Sequence, residues 1–423
     1  MINLDDHILD SYLEKVENRC DFHQNLYKIF KKGYLKTLNE TLYPDKDNKI
    51  FVITGDIPAM WQRDSSAQLR PFISLAKKDP AIKQIILKVL KRQFFNMNLD
   101  PYANAFNQFP NGKHYAEDQT DMTDWIWERK FELDSLCYPI QLAYLLYKRV
   151  GEISQFDEQF NQGVLKLLNV FKTEQHHEIS NYYFERDTDL VTETLAHHGR
   201  GNKVKYTGMI WSGFRPSDDA CRYNYLIPAN MFAVVILKYI QEIYSNILKN
   251  DDIVFCAKQL EKEIEDGIQR YGIVKKDGHK IYAYEVDGLG NSVVMDDANI
   301  PSLLAAPYIG YCSQDDSIYL NTRKVLLSSE NPYFYFGQYW CGQGSQHSPR
   351  GYIWPLAMII LALTQPEKAE QINILDVLSH TTGGTNSMHE SFDPNNPRKY
   401  TREWFSWADM MFCELLLAYL DIN

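Results

Sequence analysis

Features the chain lacks narrow its chemistry first. Seven cysteines stand singly at positions 20, 137, 221, 256, 312, 341 and 413, odd in number and without a CxxC pair. That argues against a disulfide framework or a cysteine zinc site and points to free thiols in a reducing, cytoplasmic compartment. No HExxH occurs, and the adjacent pairs His176/His177 and His197/His198 lack the i,i+4 spacing that turns two imidazoles toward one metal. No metal and no cofactor are expected. GLGNS (288–292) and GQGSQ (342–346) complete neither a dinucleotide fingerprint nor a P-loop, and there is no GxSxG elbow. Nucleotide-dependent and serine-hydrolase chemistries fall away.

Positive charge is short as well. Lys and Arg number 44 against 55 Asp and Glu, a net charge of −11 with no basic block. Nucleic acid and anionic membranes are therefore not expected partners. No apolar run approaches about 20 residues, and the N-terminus MINLDDHILDSYLEKVENRCDF is acidic, without the basic and apolar regions of a leader. The chain is expected to be neither exported nor membrane-spanning, and nothing in it specifies an oligomeric state. No Pro/Gly/Ser-rich linker divides it, so residues 1–423 are expected to form one domain. Strand signals are few, at 182–184, 205–207 and 280–284, where short hairpins are expected in loops.

Helical periodicity is abundant. After a short helix near 5–17, amphipathic stripes run over 22–42, 81–97, 156–171, 253–268, 316–327 and 369–378. Between them lie segments apolar on nearly all sides, at 67–75, 133–147, 227–243, 300–306, 352–363 and 404–420. A helix without a polar face must be surrounded by protein. Outer and inner helices thus alternate, with inner ones starting at intervals of roughly 50 to 90 residues, a repeat of pattern rather than of sequence. The expected fold is all-α, an (α/α)6 toroid with six inner and six outer helices.

Each inner helix follows a polar loop: WQRDSS (61–66), DWIWERKFELD (124–134), WSGFRPSDDACRY (211–223), VVMDDAN (293–299), YWCGQGSQHSPRG (339–351) and SMHESFDPNNPRKYTREW (387–404). In a toroid these loops gather around one depression. In the first, Asp64, Ser65 and Ser66 are helix-capping types, while Trp61, Arg63 and Asp64 combine a planar aromatic, a guanidinium fork and a carboxylate suited to a hydroxyl-rich ligand. The insertion 173–211 is expected to wall the pocket.

Hydrolysis of a glycosidic bond usually takes two carboxyl groups, one protonating the leaving oxygen and one activating water or attacking the sugar. Asp218 and Asp219 in the third loop and Glu390 in the sixth stand far enough apart in sequence to face each other across a ring. Adjacent acids point different ways, so only one of Asp218 and Asp219 is the proton donor and the other positions it or binds a hydroxyl. Asp296 and Asp297 repeat the doublet and suit sugar hydroxyls, as do His198, His347 and His389.

TGDIPAMWQRDSSAQLRPF (54–72), WSGFRPSDDACRYNYLIPANMF (211–232), MDDANIPSLL (295–304), SPRGYIWPLA (348–357) and MHESFDPNNPRKYTREWFSWADMMFCELL (388–416) resemble the signature segments of glycoside hydrolase family 125. The resemblance implies an (α/α)6 toroid and an inverting, metal-independent exo-α-1,6-mannosidase acting on N-glycan-type oligosaccharides. It places the general acid on the doublet of RPSDDA, assigned to Asp218, and the general base on Glu390. Arg63 and Asp64 correspond to the part holding the terminal mannose, with Asp297 and Asn299 nearby. Trp61, Trp211, Arg215, Asp219 and His347 complete the expected substrate-binding set. An inverting enzyme needs its carboxyls roughly 6.5 to 9.5 Å apart. The readings kept beside this one are another inverting glycosidase such as a glucosidase, a sugar epimerase working through histidine, and a non-catalytic glycan binder.

Overall fold

The helix Ile227–Ile243 shows how the architecture starts from its residues. Thirteen of its seventeen side chains are buried, on every face, so it is stable only with protein on all sides. By contrast Gln24–Glu40 buries one stripe, Leu26, Ile29, Phe30, Tyr34 and Leu38 among others, and gives its lysines to solvent. The computed structural model describes residues 6–422 and repeats this contrast six times. Outer helices Gln24–Glu40, Pro80–Leu99, Glu158–Glu174, Asp251–Gly267, Ser317–Leu326 and Lys368–His380 alternate with inner segments beginning at Gln62, Leu133, Ile227, Ala306, Pro355 and Ser406.

Packing closes the ring. Gln62–Leu69 lies against Leu133–Val150, which lies against Ile227–Ile243, and Pro355–Leu363 lies against Ser406–Tyr419. The last inner helix then returns to Gln62–Leu69 and to the outer helix Gln24–Glu40. The result is an (α/α)6 toroid whose continuous apolar cluster extends from Leu9 to Ile422. Among the described residues Ile227–Leu248 alone is long and apolar enough to match a membrane span, but within it most side chains of Ile227–Ile243 are buried against the rest of the chain.

Several boundaries differ from expectation. A helix spans Asp6–Arg19 near the N-terminus; the expected start at Asp5 lies outside the described residues. The first inner helix begins at Gln62, so Arg63, Asp64, Ser65 and Ser66 sit in its first turns and do not cap it. The hydroxyls of Ser65 and Ser66 turn back to the Gln62 carbonyl at 3.3 and 3.0 Å. Pro71 lacks an N–H for the α ladder, and the helix passes through a 3-10 turn, Arg70–Phe72, before Ile73–Ala76. The fourth inner helix, expected at 300–306, shrinks to Ala306–Ile309. Pro301 stands inside the expected stretch, Pro307 falls in the first turn of the helix that does form, and Asp296 accepts the N–H groups of Leu303 and Leu304 at 2.8 and 3.1 Å.

The expected hairpin at 280–284 forms as Ile273–Lys276 paired with His279–Tyr282. The strand expected at 182–184 is displaced to Glu185–Arg186, which pairs with Asp118–Gln119, and no strand forms at 205–207. The polar loops also pair with one another. Met60–Trp61 joins Ala105–Phe106 and then Ile126–Glu128, and Tyr225–Leu226 joins Glu285–Val286 and Ser292–Val293. These ladders stiffen the end of the toroid where the inner helices begin.

Candidate active site

Two loop connections define the floor of a cavity of about 210 Å³ at that end. The ladder through Met60–Trp61 carries Trp61 to its wall and brings Glu128 and Lys130 beside it. The first and sixth loops are tied together where the N–H of Ser406 donates to the Thr54 carbonyl at 3.1 Å. Thr54 in turn donates its hydroxyl to Asp64 at 2.6 Å.

Asp218 enters from the third loop at the tip of a tight turn. The Arg215 N–H donates to the Asp219 carbonyl at 2.8 Å and the Asp218 N–H to the Arg215 carbonyl at 3.0 Å. This closure puts Asp218 at φ +65°, a left-handed conformation that aspartate tolerates better than most residues. Its side chain faces the cavity, where Asn104 Nδ2 donates to it at 3.1 Å and to Glu128 at 3.0 Å. Asp219 is buried below, near Ser217 and 3.7 Å from His347 Nδ1. The turn therefore separates the doublet, presenting Asp218 and hiding Asp219.

The ionisation of Asp218 differs from a simple desolvated acid. Burial opposes its charge, but Lys130, Arg63 and a hydrogen bond with Glu132 outweigh it and hold the carboxyl below its ordinary range. Glu132 moves the other way, well above its ordinary range, because burial dominates and Asp218 and Asp134 add negative charge. The two carboxyls are thus pushed in opposite directions, ionisation being favoured on Asp218 and opposed on Glu132.

Glu390 lines the same cavity and comes from the sixth loop. Two residues earlier, the Met388 N–H donates to Asp409 at 2.7 Å, pinning the loop to the last inner helix. Glu390 faces Arg402 at 3.6 Å, and Arg402 is itself held by Asp56 at 2.5 Å.

The remaining expected residues divide in two. Trp61, Arg63, Asp64, Asn299 and His347 line the cavity. Arg63 is locked by Glu132 at 2.8 Å and Asp134 at 3.2 Å. Desolvation disfavours the charged His347, but the nearby Asp219 carboxylate, with the charges of Asp218 and Glu390, outweighs this and pushes it up to about 9.

Trp211, Arg215 and Asp297 do not line it. Trp211 is fully buried and stacks on His177 at 3.6 Å between ring centres, so it has no face to offer a sugar. Arg215 is consumed by Glu285 at 2.6 Å, bracing the turn below Asp218. Asp297 is spent on Asn299 and on Ser345 at 2.8 Å, and it orients Asn299. Asp296 serves the turn after it. His198 is exposed at the rim of another loop, and His389 stacks on Tyr400 while bonding backbone carbonyls.

Comparison with known proteins adds the chemistry of the class. The profile of the family described as metal-independent alpha-mannosidase (GH125) matches residues 23–417. The chain belongs to glycoside hydrolase family 125. A metal-independent α-mannosidase of Streptococcus pneumoniae, solved in a non-productive complex with α-1,6-mannobiose, is 52% identical over 100% of both chains, with a TM-score of 0.98. The meiotically up-regulated gene 157 protein of Schizosaccharomyces pombe is 37% identical over 98% of this chain and 86% of its own length. A glucoamylase of Saccharomycopsis fibuligera shares the fold at 12% identity, with 96% of each chain covered and a TM-score of 0.57. This member of family 125 is accordingly a glycoside hydrolase of the α-mannosidase class.

Metal independence has a local counterpart in this family 125 chain. Glu193, Asp219 and His347 place potential ligand atoms within 4.8 Å of one another. Glu193, however, already carries Lys130 at 2.8 Å and Arg186 at 2.7 Å. A metal ion there would have to displace or face the cations Lys130 and Arg186 that Glu193 already pairs with.

Glu128, Lys130, Glu132 and Arg402 lie in the polar loops, and Trp407 in the segment 388–416, without a part expected of them, while Asn104 and Tyr115 lie outside every motif. Asn104 and Tyr115 sit in a stretch without periodicity. The signal for Glu132 was present: it precedes a buried helix and follows two cationic residues, Arg129 and Lys130.

Proposed function

We propose that this family 125 protein is an exo-acting, inverting α-1,6-mannosidase that releases non-reducing terminal mannose from N-glycan-type oligosaccharides. The observation that carries the reading is the convergence of Asp218, from the third loop, and Glu390, from the sixth, on one small cavity. Both acids share that space with Trp61 and Asn299, an aromatic face and an amide suited to a sugar. The 52% identical streptococcal α-mannosidase, which binds α-1,6-mannobiose, supports the linkage.

In the reaction, Asp218 protonates the glycosidic oxygen as the bond from C1 to that oxygen breaks and its electron pair leaves with the oxygen. A water on the opposite face adds to C1 and gives its proton to ionised Glu390. The terminal sugar enters a cavity of about 210 Å³, a size that supports removal of one residue from a chain end. Asn299, positioned by Asp297, and Asp64, positioned by Thr54, supply hydroxyl partners. No cofactor takes part. The chain acts as one catalytic domain, a reading supported by its continuous core. Seven free cysteines favour a reducing, cytoplasmic setting.

Incubation with α-1,6-, α-1,3- and α-1,2-linked mannobiose, with the anomer of released mannose followed by NMR, tests this. Release of β-mannose from the α-1,6 isomer supports it. Release of α-mannose overturns inversion. Turnover of α-glucosides in place of mannobiose favours the glucosidase reading, and binding without release favours a glycan-binding protein.

A further inference from the structure

Next to Asp218 lies a carboxyl without a direct part in the proposed proton transfers. Glu132 stands at the start of the second inner helix, fully buried. One of its oxygens, Oε2, accepts from Arg63 at 2.8 Å and from the Ser135 hydroxyl at 2.9 Å. Its other oxygen, Oε1, has no donor among the described residues, and its side chain meets the Asp218 carboxyl at hydrogen-bond range. Two carboxylates cannot bond to each other, because each only accepts. The contact becomes a hydrogen bond when one proton lies between them.

Local charge demands that proton. The Arg63 guanidinium already faces Asp64 at 3.5 Å, Glu132 at 2.8 Å and Asp134 at 3.2 Å. Lys130 is divided between the Asp218 carbonyl, Glu193 and Glu128. His347 approaches from the far side through Asp219. Three buried carboxyls on one guanidinium, with the charge of Asp218 beside them, leave surplus negative charge, and a site of this kind keeps a proton rather than ionising fully.

We propose that Glu132 is a positioning residue for the reaction, holding one proton jointly with Asp218, and that this shared proton is the one Asp218 gives to the departing oxygen. In the donating state the proton is on Asp218, and Glu132 is ionised against Arg63 and Ser135. After transfer to the glycosidic oxygen both carboxyls are charged, and the site recovers by taking a proton from solvent. The idea rests on the mannosidase reading above.

The test is the Glu132→Gln variant, nearly the same shape, with its fold checked by circular dichroism and thermal melting. Its rates are measured against pH on α-1,6-mannobiose and on α-mannosyl fluoride, whose leaving group needs no proton. If the proposal holds, the alkaline limb of kcat/KM for mannobiose moves down by a pH unit or more, while turnover of the fluoride stays within a few-fold of wild type. An unmoved limb, or equal loss on both substrates, overturns it. If wild type releases no mannose, the mannosidase reading falls, and infrared spectroscopy still decides the pair. The spectrum at neutral pH must then contain a protonated-carboxyl band that Asp218→Asn removes, and a band untouched by that change overturns the pair. The same measurement serves if E132Q does not fold.

Discussion

Arg402 stands between Asp56 and Glu390, 2.5 Å from the first and 3.6 Å from the second. A carboxylate from the segment leading into the first loop thereby positions a guanidinium from the sixth, and that guanidinium sets the direction of the proposed base. Replacing Arg402 by Ala leaves Glu390 without its orienting charge. We expect kcat on α-1,6-mannobiose to fall about 100-fold, the scale of a small misplacement of a reacting group. Asp56→Asn is expected to produce a weaker form of the same defect, and an unchanged kcat in both variants would remove Arg402 from this part.

Glu390→Gln keeps size and hydrogen bonding but cannot take a proton from water. Turnover is expected to drop on the order of 10³-fold, the usual contribution of a general base. Mannobiose binding, measured by calorimetry, should stay close to wild type. Substantial residual turnover would show that another group activates the water.

His347 is expected to titrate near 9, above the ordinary 6.5, because burial is outweighed by Asp219, Asp218 and Glu390. Since its folded value is the higher one, its contribution to stability is complete below about 6.5 and is lost as pH rises through about 9. Proton-detected NMR of the imidazole resonances reads the midpoint directly. A midpoint near 6.5 would mean that the carboxylates do not act on it, and His347→Gln should then leave the alkaline stability curve unchanged.

Arg63→Met removes the guanidinium shared by Asp64, Glu132 and Asp134. Breaking a buried ion cluster by deleting one partner costs about 3–5 kcal/mol. Urea denaturation should show that loss, reduced at low pH where the orphaned carboxyls take up protons. A loss under 1 kcal/mol would mean that the cluster relaxes without it.

Gly55 adopts φ +122°, and a Cβ there would collide with the carbonyl oxygen of Trp404, next to the backbone bond that joins the two loops. Gly55→Ala is expected to destabilise the fold by roughly 2 kcal/mol or more through strain. It should also raise KM, because the first and sixth loops separate. Thermal melting and steady-state kinetics check both, and a variant matching wild type would show that the junction has slack.

The alternation of outer and inner helices was legible because burial writes itself into local sequence. Ile227–Ile243 appears with the bounds its apolar run suggested, since nothing inside it competes with the helix. The fourth inner helix differs from its apolar pattern at 300–306, where Pro301 and the hydrogen bonds that Asp296 accepts from Leu303 and Leu304 hold a turn in place of a helix. At the first inner helix, Asp64, Ser65 and Ser66 looked like caps but find their partners inside the helix and in Thr54.

In the cavity, sequence established which residue types stand at the mouths of the inner helices: acids at 218, 219 and 390, Arg63 and Trp61. Tertiary structure decided which of them face a ligand. One left-handed turn presents Asp218 and buries Asp219, and a stack on His177 withdraws Trp211. The pairing of Asp56 with Arg402 joins positions 346 residues apart. Periodicity reports burial along a chain, whereas the direction of a side chain depends on one backbone angle and on partners that only ring closure brings within reach.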